Sequence, residues 1–392
     1  MGMKTEVKEH LENVIIPFWK ALRDDTHGGY YGYMDYNKKL DRKAVKGCIL
    51  NSRITWFFSQ AYQVLGDESL LKEAGHAYEF MKNYCLDKEY GGVYWSVSYD
   101  GKPEDMTKHT YNQAFSIYAL SAYYAASGDK ESIQIAGQIY ETLETRCRDS
   151  EGYLEALDRT FHPVANDKLS ENGVMADRTM NTLLHVLEAY TEYYRVTGRT
   201  EVKERIEWIL DLMADKIYNP ELHRLEVFFD RDYHTLLDLH SYGHDIETAW
   251  LVDRAVEVID NPLYREKMLP ITKNLTARIY ETAFDGHSLS NECEKGVVDT
   301  DRVWWVQAEA VVGFLNGYQK NPAKTEYLEA ARSIWKYIQE NVIDKRENSE
   351  WFWLLDKDGR PYEDKPLADP WKCPYHNGRM CMEVIRRNID AA

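Results

Sequence analysis

The chain has 392 residues, is 44% hydrophobic and carries a formal net charge of −17, so it can bury a large core but offers no basic surface for nucleic acid or anionic membrane. No stretch is apolar and uncharged for the length a membrane helix needs. The N-terminus MGMKTEVKEHLENVIIPFW carries charges where a signal peptide has its apolar core, so the sequence reads as a soluble, cytoplasmic chain.

Apolar spacing at helical period recurs along the whole length and predicts about twelve helices of two alternating kinds. A charged-faced helix near 6–22 is followed by GGYYGYMD from Gly28 and an aromatic-rich helix near 49–66. The next pair lies near 68–84 and 110–127, with GGVYWSVS from Gly91 between them. Helices near 129–145 and 178–197 flank EGYLEALD from Glu151, and helices near 199–216 and 244–260 flank HRLEVFFD from His223. Helices near 261–282 and 304–320 flank the weaker FDGHSLSNE from Phe284, and helices near 323–344 and 375–388 flank SEWFWLLD from Ser349. The first of each pair, charged on one face, is read as outer and the second as inner.

The links alternate as well. An inner helix passes to the next outer helix through a short turn, as at Leu65-Gly66-Asp67 and Ser127-Gly128-Asp129, where Gly suits a helix end and Asp a helix start. An outer helix reaches its inner partner through a long link holding one aromatic or alternating segment fit for a short β-hairpin. With no Pro/Ser-rich linker, the chain reads as one domain, residues 1–392: an all-α (α/α)6 barrel of six helical hairpins with short β-hairpins at one end. An open solenoid of the same hairpins is the rival. In the barrel, the long links and the starts of the inner helices share one mouth.

Residues at those helix starts are therefore the candidates. Asn51 and Arg53 open the first inner helix; a guanidinium among apolar residues needs an anion or strong acceptor, which a buried carboxylate would also supply. Tyr111 opens the second. Asn181 and His185, at i and i+4, share a face of the third. In SYGHDIETAW, His244 and Glu247 are i and i+3, as are Glu247 and Trp250; a carboxylate beside an imidazole raises its basicity and fixes its tautomer. Trp305 and Glu309, at i and i+4, offer an indole for sugar C–H groups and a carboxylate. His376 begins the sixth helix, where the helix N-terminus disfavours imidazolium, with Trp371 upstream.

Six single cysteines with no CxxC, no H-E-x-x-H, no P-loop and no G-x-G-x-x-G after a strand argue against metal or nucleotide cofactors. Convergent imidazoles in an aromatic pocket favour carbohydrate chemistry. A glycoside hydrolase would want two opposed carboxylates, for which Glu247 and Glu309 are the candidates, and a non-catalytic sugar-binding module would need only the aromatics.

The stretches KGCILNSRITWFF, SENGVMADRTMNTLLHVLEAY, SYGHDIETAWL, WWVQAEAVVGF, NSEWFW and WKCPYHNGRMC resemble the N-acylglucosamine 2-epimerase superfamily, in order and over essentially the whole chain. The resemblance implies an (α/α)6 barrel that inverts C2 of the reducing-end hexose of a 4-linked disaccharide without a cofactor, as a monomer or homodimer. A mannose-type aldose–ketose isomerase and an N-acylglucosamine epimerase are the alternatives within it. It implies His244 and His376 as the acid/base pair, Glu247 as the support of His244, and Arg53 and His185 as holders of the reacting oxygens. Tyr111, Asn181, Trp250, Trp305, Glu309 and Trp371 are then the sugar-contacting set.

Overall fold

The computed structural model describes residues 2–169 and 172–387; Ser170, Glu171 and residue 388, the predicted end of the sixth inner helix, lie outside that range. Among the described residues, twelve helices alternate as expected. The outer ones are α1 (Met3–His10, continued through Leu11–Ile15 and Ile16–Ala21), α3 (Glu68–Phe80, extended by Met81–Cys85), α5 (Lys130–Arg146), α7 (Thr200–Leu212, extended by Met213–Ile217), α9 (Pro262–Thr282) and α11 (Thr325–Tyr337, extended by Ile338–Val342). The inner ones are α2 (Cys48–Leu65), α4 (Thr110–Ser127), α6 (Met180–Thr197), α8 (Tyr242–Ile259), α10 (Trp304–Lys320) and α12 (His376–Arg387). Each inner helix packs on the next, and α12 packs back on α2. The ring is closed, so the molecule is an (α/α)6 barrel rather than a solenoid. Among the described residues, no helix is long and apolar enough to cross a membrane.

The turns at the far end follow from local chemistry. Gly66, Gly128 and Gly198 end α2, α4 and α6 with φ of 75°, 74° and 65°, a conformation a side chain resists. Asp67 and Asp129 then cap α3 and α5 by accepting backbone N–H bonds.

At the mouth the β structure differs from the expected local hairpins. Such hairpins occur, as in Arg148 with Tyr153 and Phe284 with Leu289. The main pairing, however, joins successive links. The two or three residues before an inner helix pair antiparallel with the next link: Lys46–Gly47 with Ser96–Val97, Lys108–His109 with Ala156–Leu157, and Arg178–Thr179 with Phe228–Phe229. Leu239–Ser241 pairs with Glu292–Glu294, Arg302–Val303 with Leu354–Leu355, and a bridge from Ala368 to Met34 closes the circle.

A basic residue stands two positions before each of the first five inner helices and meets a carboxylate: Lys46 with Asp24, Lys108 with Asp87, Arg178 with Asp149, His240 with Asp245 and Arg302 with Asp285. Four of those carboxylates (all but Asp245) also accept backbone N–H groups of the turn that opens their own link. Each start of those five inner helices is thus pinned by a contact to a carboxylate and by backbone pairing, which fixes the side chains of its first turns.

Candidate active site

The first turns of α8, α10 and α12 build one half of the site. The ring of His244 lies 4.7 Å from the half-buried indole of Trp305, and His376 lies 5.3 Å from the same indole. Both imidazoles therefore border one space rather than separate surfaces. Their supports differ. Nδ1 of His376 bonds Oε1 of Glu309 at 2.7 Å, whereas Nδ1 of His244 meets the Ser241 hydroxyl at 2.7 Å. Since Glu309 also accepts from Arg379 and from the Trp250 indole N–H, it acts as an acceptor; Nδ1 of His376 is then the donor and its Nε2 carries the free lone pair.

Helix spacing suggests Glu247 beside His244, and the structure places it elsewhere. Its Oε1 bonds Arg379 and lies 3.9 Å from Nδ1 of His376. Its buried Oε2 has no protein partner. His244 is correspondingly not made more basic: burial first, then the neighbouring His185, lowers it to about 3. Burial, reinforced by Arg379 and Arg53, also pushes His376 well below the ordinary imidazole value, in the direction expected at its helix start. At neutral pH both rings are uncharged and able to accept a proton.

α2, α4 and α6 build the other half. Arg53 is buried, and no carboxylate pairs with it among the described residues, unlike the buried ion pair that its sequence context allows. It donates to the Tyr111 hydroxyl at 2.7 Å and to Cys373 Sγ, and its guanidinium carbon sits 4.2 Å from the Phe115 ring and 4.8 Å from that of Tyr375. Its Nε is buried without a partner. A desolvated cation held between rings, with its charge uncompensated, is prepared for an anion that forms during a reaction. His185 is held at Nδ1 by Glu188 at 2.9 Å, its ring 5.0 Å from that of Tyr111. Asn181, one turn earlier on α6, has a buried Oδ1 with no protein donor. Trp371 is half-buried, 6.0 Å from Tyr111 and 5.7 Å from Trp95, and the three rings form an aromatic wall.

Two expected sugar contacts face protein instead. Both oxygens of Glu309 are taken by His376, Arg379 and Trp250. Trp250 is buried beneath them, its indole 4.8 Å from the Arg379 guanidinium, and it borders a cavity at the opposite end of the barrel.

The residue that spacing did not single out is Arg379. Buried one turn beyond His376, it bonds Glu188, Glu247 and Glu309, which come from α6, α8 and α10. Burial alone would raise the Glu188 carboxyl; Arg379, then His185 and Tyr375, overcome this and hold it at about 2. A buried Arg in RMCMEV, a turn from a candidate His, was the available signal. Glu247, Glu309 and His376 bring ligand atoms within 4.8 Å of one another, a grouping that could hold a metal ion. The Arg379 guanidinium contacts both of those carboxylates and supplies the positive charge there.

Comparison with known proteins places this geometry. The family model for N-acylglucosamine 2-epimerase matches residues 29–377. A curated relative from Eubacterium cellulosolvens, cellobiose 2-epimerase, is 52% identical across 99% of this chain and 100% of its own. Two solved structures superpose closely: a sugar epimerase from a ruminal bacterium, with a TM-score of 0.97 at 50% identity, covers 99% of both chains. Cellobiose 2-epimerase from Bacillus thermoamylovorans has a TM-score of 0.94 at 43% identity and covers 98% of this chain and 99% of its own.

Proposed function

From the premise that the chain belongs to the N-acylglucosamine 2-epimerase family, we propose that it inverts C2 of the reducing-end hexose of β-1,4-linked disaccharides, taking cellobiose to glucosyl-mannose and lactose to epilactose. It is a carbohydrate epimerase. The observation that carries the mechanism is the pair of uncharged imidazoles on one indole, with the uncompensated Arg53 guanidinium across the same barrel mouth.

The sugar enters as a closed hemiacetal. Nε2 of His376 takes the O1 proton and returns it to O5, opening the ring and exposing a C1 aldehyde. The C2 proton is then acidic enough for a positioned base. One imidazole removes it and the enediolate forms. Arg53 donates to its oxygens, a preorganised stabilisation of about 3–4 kcal/mol for a well-placed donor, while the free Nε2 of His185 accepts from a sugar hydroxyl. The other imidazole, which takes up a solvent proton once the enediolate's negative charge has formed, delivers it to the opposite face of C2, and the first imidazole releases the abstracted proton to solvent. Each imidazole contributes about 10² to 10⁴ in rate. Protonation at C1 in place of C2 gives the ketose, so slow aldose–ketose isomerisation accompanies epimerisation.

Tyr111, Asn181, Trp305 and Trp371 hold the sugar in this reading, with Oε2 of Glu247 reading a hydroxyl. Glu309 and Trp250 act through His376. Glycoside hydrolysis fits poorly: Glu247 and Glu309 share one guanidinium nitrogen and do not flank a bond from opposite sides. The reading takes the protein as one catalytic domain, residues 1–392, working in the cytoplasm without metal or nucleotide, as a monomer or homodimer.

The test is product analysis by NMR after incubating the EDTA-treated protein with cellobiose, mannose and N-acetylglucosamine in turn. A mannose-type reducing end formed from cellobiose, faster than any product from the monosaccharides, is expected. Fructose from mannose as the main reaction, or glucose released from cellobiose, would overturn it.

A further inference from the structure

Arg379 binds carboxylates from three of the five other inner helices, and two of those carboxylates hold imidazoles: Glu309 holds His376 and Glu188 holds His185. The guanidinium lies between the rings of Tyr375, at 4.2 Å, and Trp250, at 4.8 Å, and the Tyr375 hydroxyl bonds Glu188 as well. It thus bonds directly to both supports of the reacting side chains.

We propose that Arg379 is the positioning residue that sets the tautomer of His376 and His185, and that it is reached from the cavity at the opposite end of the barrel. This rests on the epimerase reading of the mouth. Three buried carboxylates cannot all stay ionised without a cation among them. With Arg379 in place, Glu309 and Glu188 remain acceptors, each neighbouring Nδ1 keeps its hydrogen, and each Nε2 faces the sugar as a free lone pair. Burial already pushes the Glu247 and Glu309 carboxyls upward against the pull of Arg379; remove the guanidinium and Glu309 itself takes a proton. Glu309 then donates to Nδ1, the His376 tautomer reverses, and Nε2 bears a hydrogen where the reaction needs a lone pair. A lysine cannot replace it, because a compact ammonium lacks the planar fork that meets Glu188 on one side and Glu247 and Glu309 on the other.

The approach from behind is visible in the fold. A cavity of about 640 Å³ opens among the C-terminal ends of the inner helices, and Arg379, Glu188 and Trp250 form part of its wall. Guanidinium ion therefore has a route to the vacated position of an Arg379→Ala variant that does not pass the disaccharide.

The experiment measures cellobiose turnover by wild type, Arg379→Ala and Arg379→Lys, with and without guanidinium chloride at concentrations that leave the wild type folded by circular dichroism. The expected result for Arg379→Ala is a fall of about 100-fold or more in kcat with KM changed by less than about threefold, as for loss of a group that orients a catalytic imidazole. Guanidinium is expected to restore at least about tenfold of that loss, equally at low and saturating disaccharide, while ammonium restores nothing. ¹⁵N NMR is expected to show His376 as the Nδ1–H tautomer in wild type and Nε2–H in the unrescued variant. A folded variant whose kcat stays within threefold, whose loss lies in KM alone, or which guanidinium does not rescue, overturns the proposal. If Arg379→Ala does not fold, Arg379→Lys decides: near-normal kcat, or an unchanged His376 tautomer, overturns it. Wild type that forms no epimer from any 4-linked disaccharide would sink the functional reading instead, and the tautomer measurement would still report on Arg379.

Discussion

The same six inner helices end in two different ways. At the far end they stop at Gly66, Gly128 and Gly198 and turn back within a residue or two, with Asp67 and Asp129 capping the helices that follow. At the mouth they begin after long links, stitched from one repeat to the next by short strands and by buried pairs such as Lys46–Asp24 and Lys108–Asp87. The far end uses local rules to close the fold. The mouth uses contacts between distant segments, and there the structure tolerates what a fold alone would avoid: an Arg53 with no carboxylate, an unpartnered Asn181 oxygen, and two uncharged imidazoles. Stability and chemistry are therefore separable by position.

The sharpest break between the two regions is expected at the imidazoles. His376→Ala and His244→Ala should each lower epimerisation by about 10³-fold or more while the folded state persists, measured by product formation and by melting temperature. Arg53→Lys comes next, with an expected loss of about 10² to 10³ in kcat, because a point charge cannot reproduce the fork that meets a delocalised enediolate. Near-normal turnover in that variant would remove Arg53 from the oxyanion role. Ser241→Ala should cost less, about tenfold in kcat with KM nearly unchanged, since it releases only Nδ1 of His244.

A stability effect at the mouth depends on pH. His109, buried against Asn166, is lowered to about 4 by burial, so it is neutral when folded, whereas the unfolded ring protonates below its ordinary value of 6.5. The unfolded state binds more protons in that window, and stability falls as pH drops from 6.5 to 4, by up to about 3 kcal/mol from this group. His109→Gln should therefore narrow its stability gap to wild type as pH falls through that range; a constant gap would contradict the assignment. The smallest effect belongs to the far end. Asp129→Ala removes a cap on two backbone N–H groups and should cost about 1 kcal/mol of stability with kcat unchanged.

The two regions also differed in how far the sequence disclosed them. Helix period, Gly stops and Asp caps are local signals, so α4 and α10 match their expected spans and the short turns fall where Gly66 and Gly128 stand. The cross-link strands leave no local signal because each pairs with a segment one repeat away, as Lys46–Gly47 does with Ser96–Val97. Aligning the repeats would have exposed the basic residue two positions before each of the first five inner helices. Within the site, i and i+3 spacing brought His244 and Glu247 onto neighbouring turns but did not reveal which ring the carboxylate serves. That choice is made by Arg379, which draws Glu247 toward α12 through a contact spanning 132 positions of the chain. A network closed across the barrel axis leaves no periodic trace in sequence.

The most direct measurement is a single turnover of cellobiose in D2O, with C2 of product and of unreacted substrate read by NMR before the reverse reaction builds up. If separate imidazoles serve the two faces of C2, the product carries a solvent deuteron at C2 and the remaining substrate keeps its original hydrogen. Product that retains the substrate's own C2 hydrogen would mean that one base takes and returns the same proton, and the two-imidazole account would be wrong.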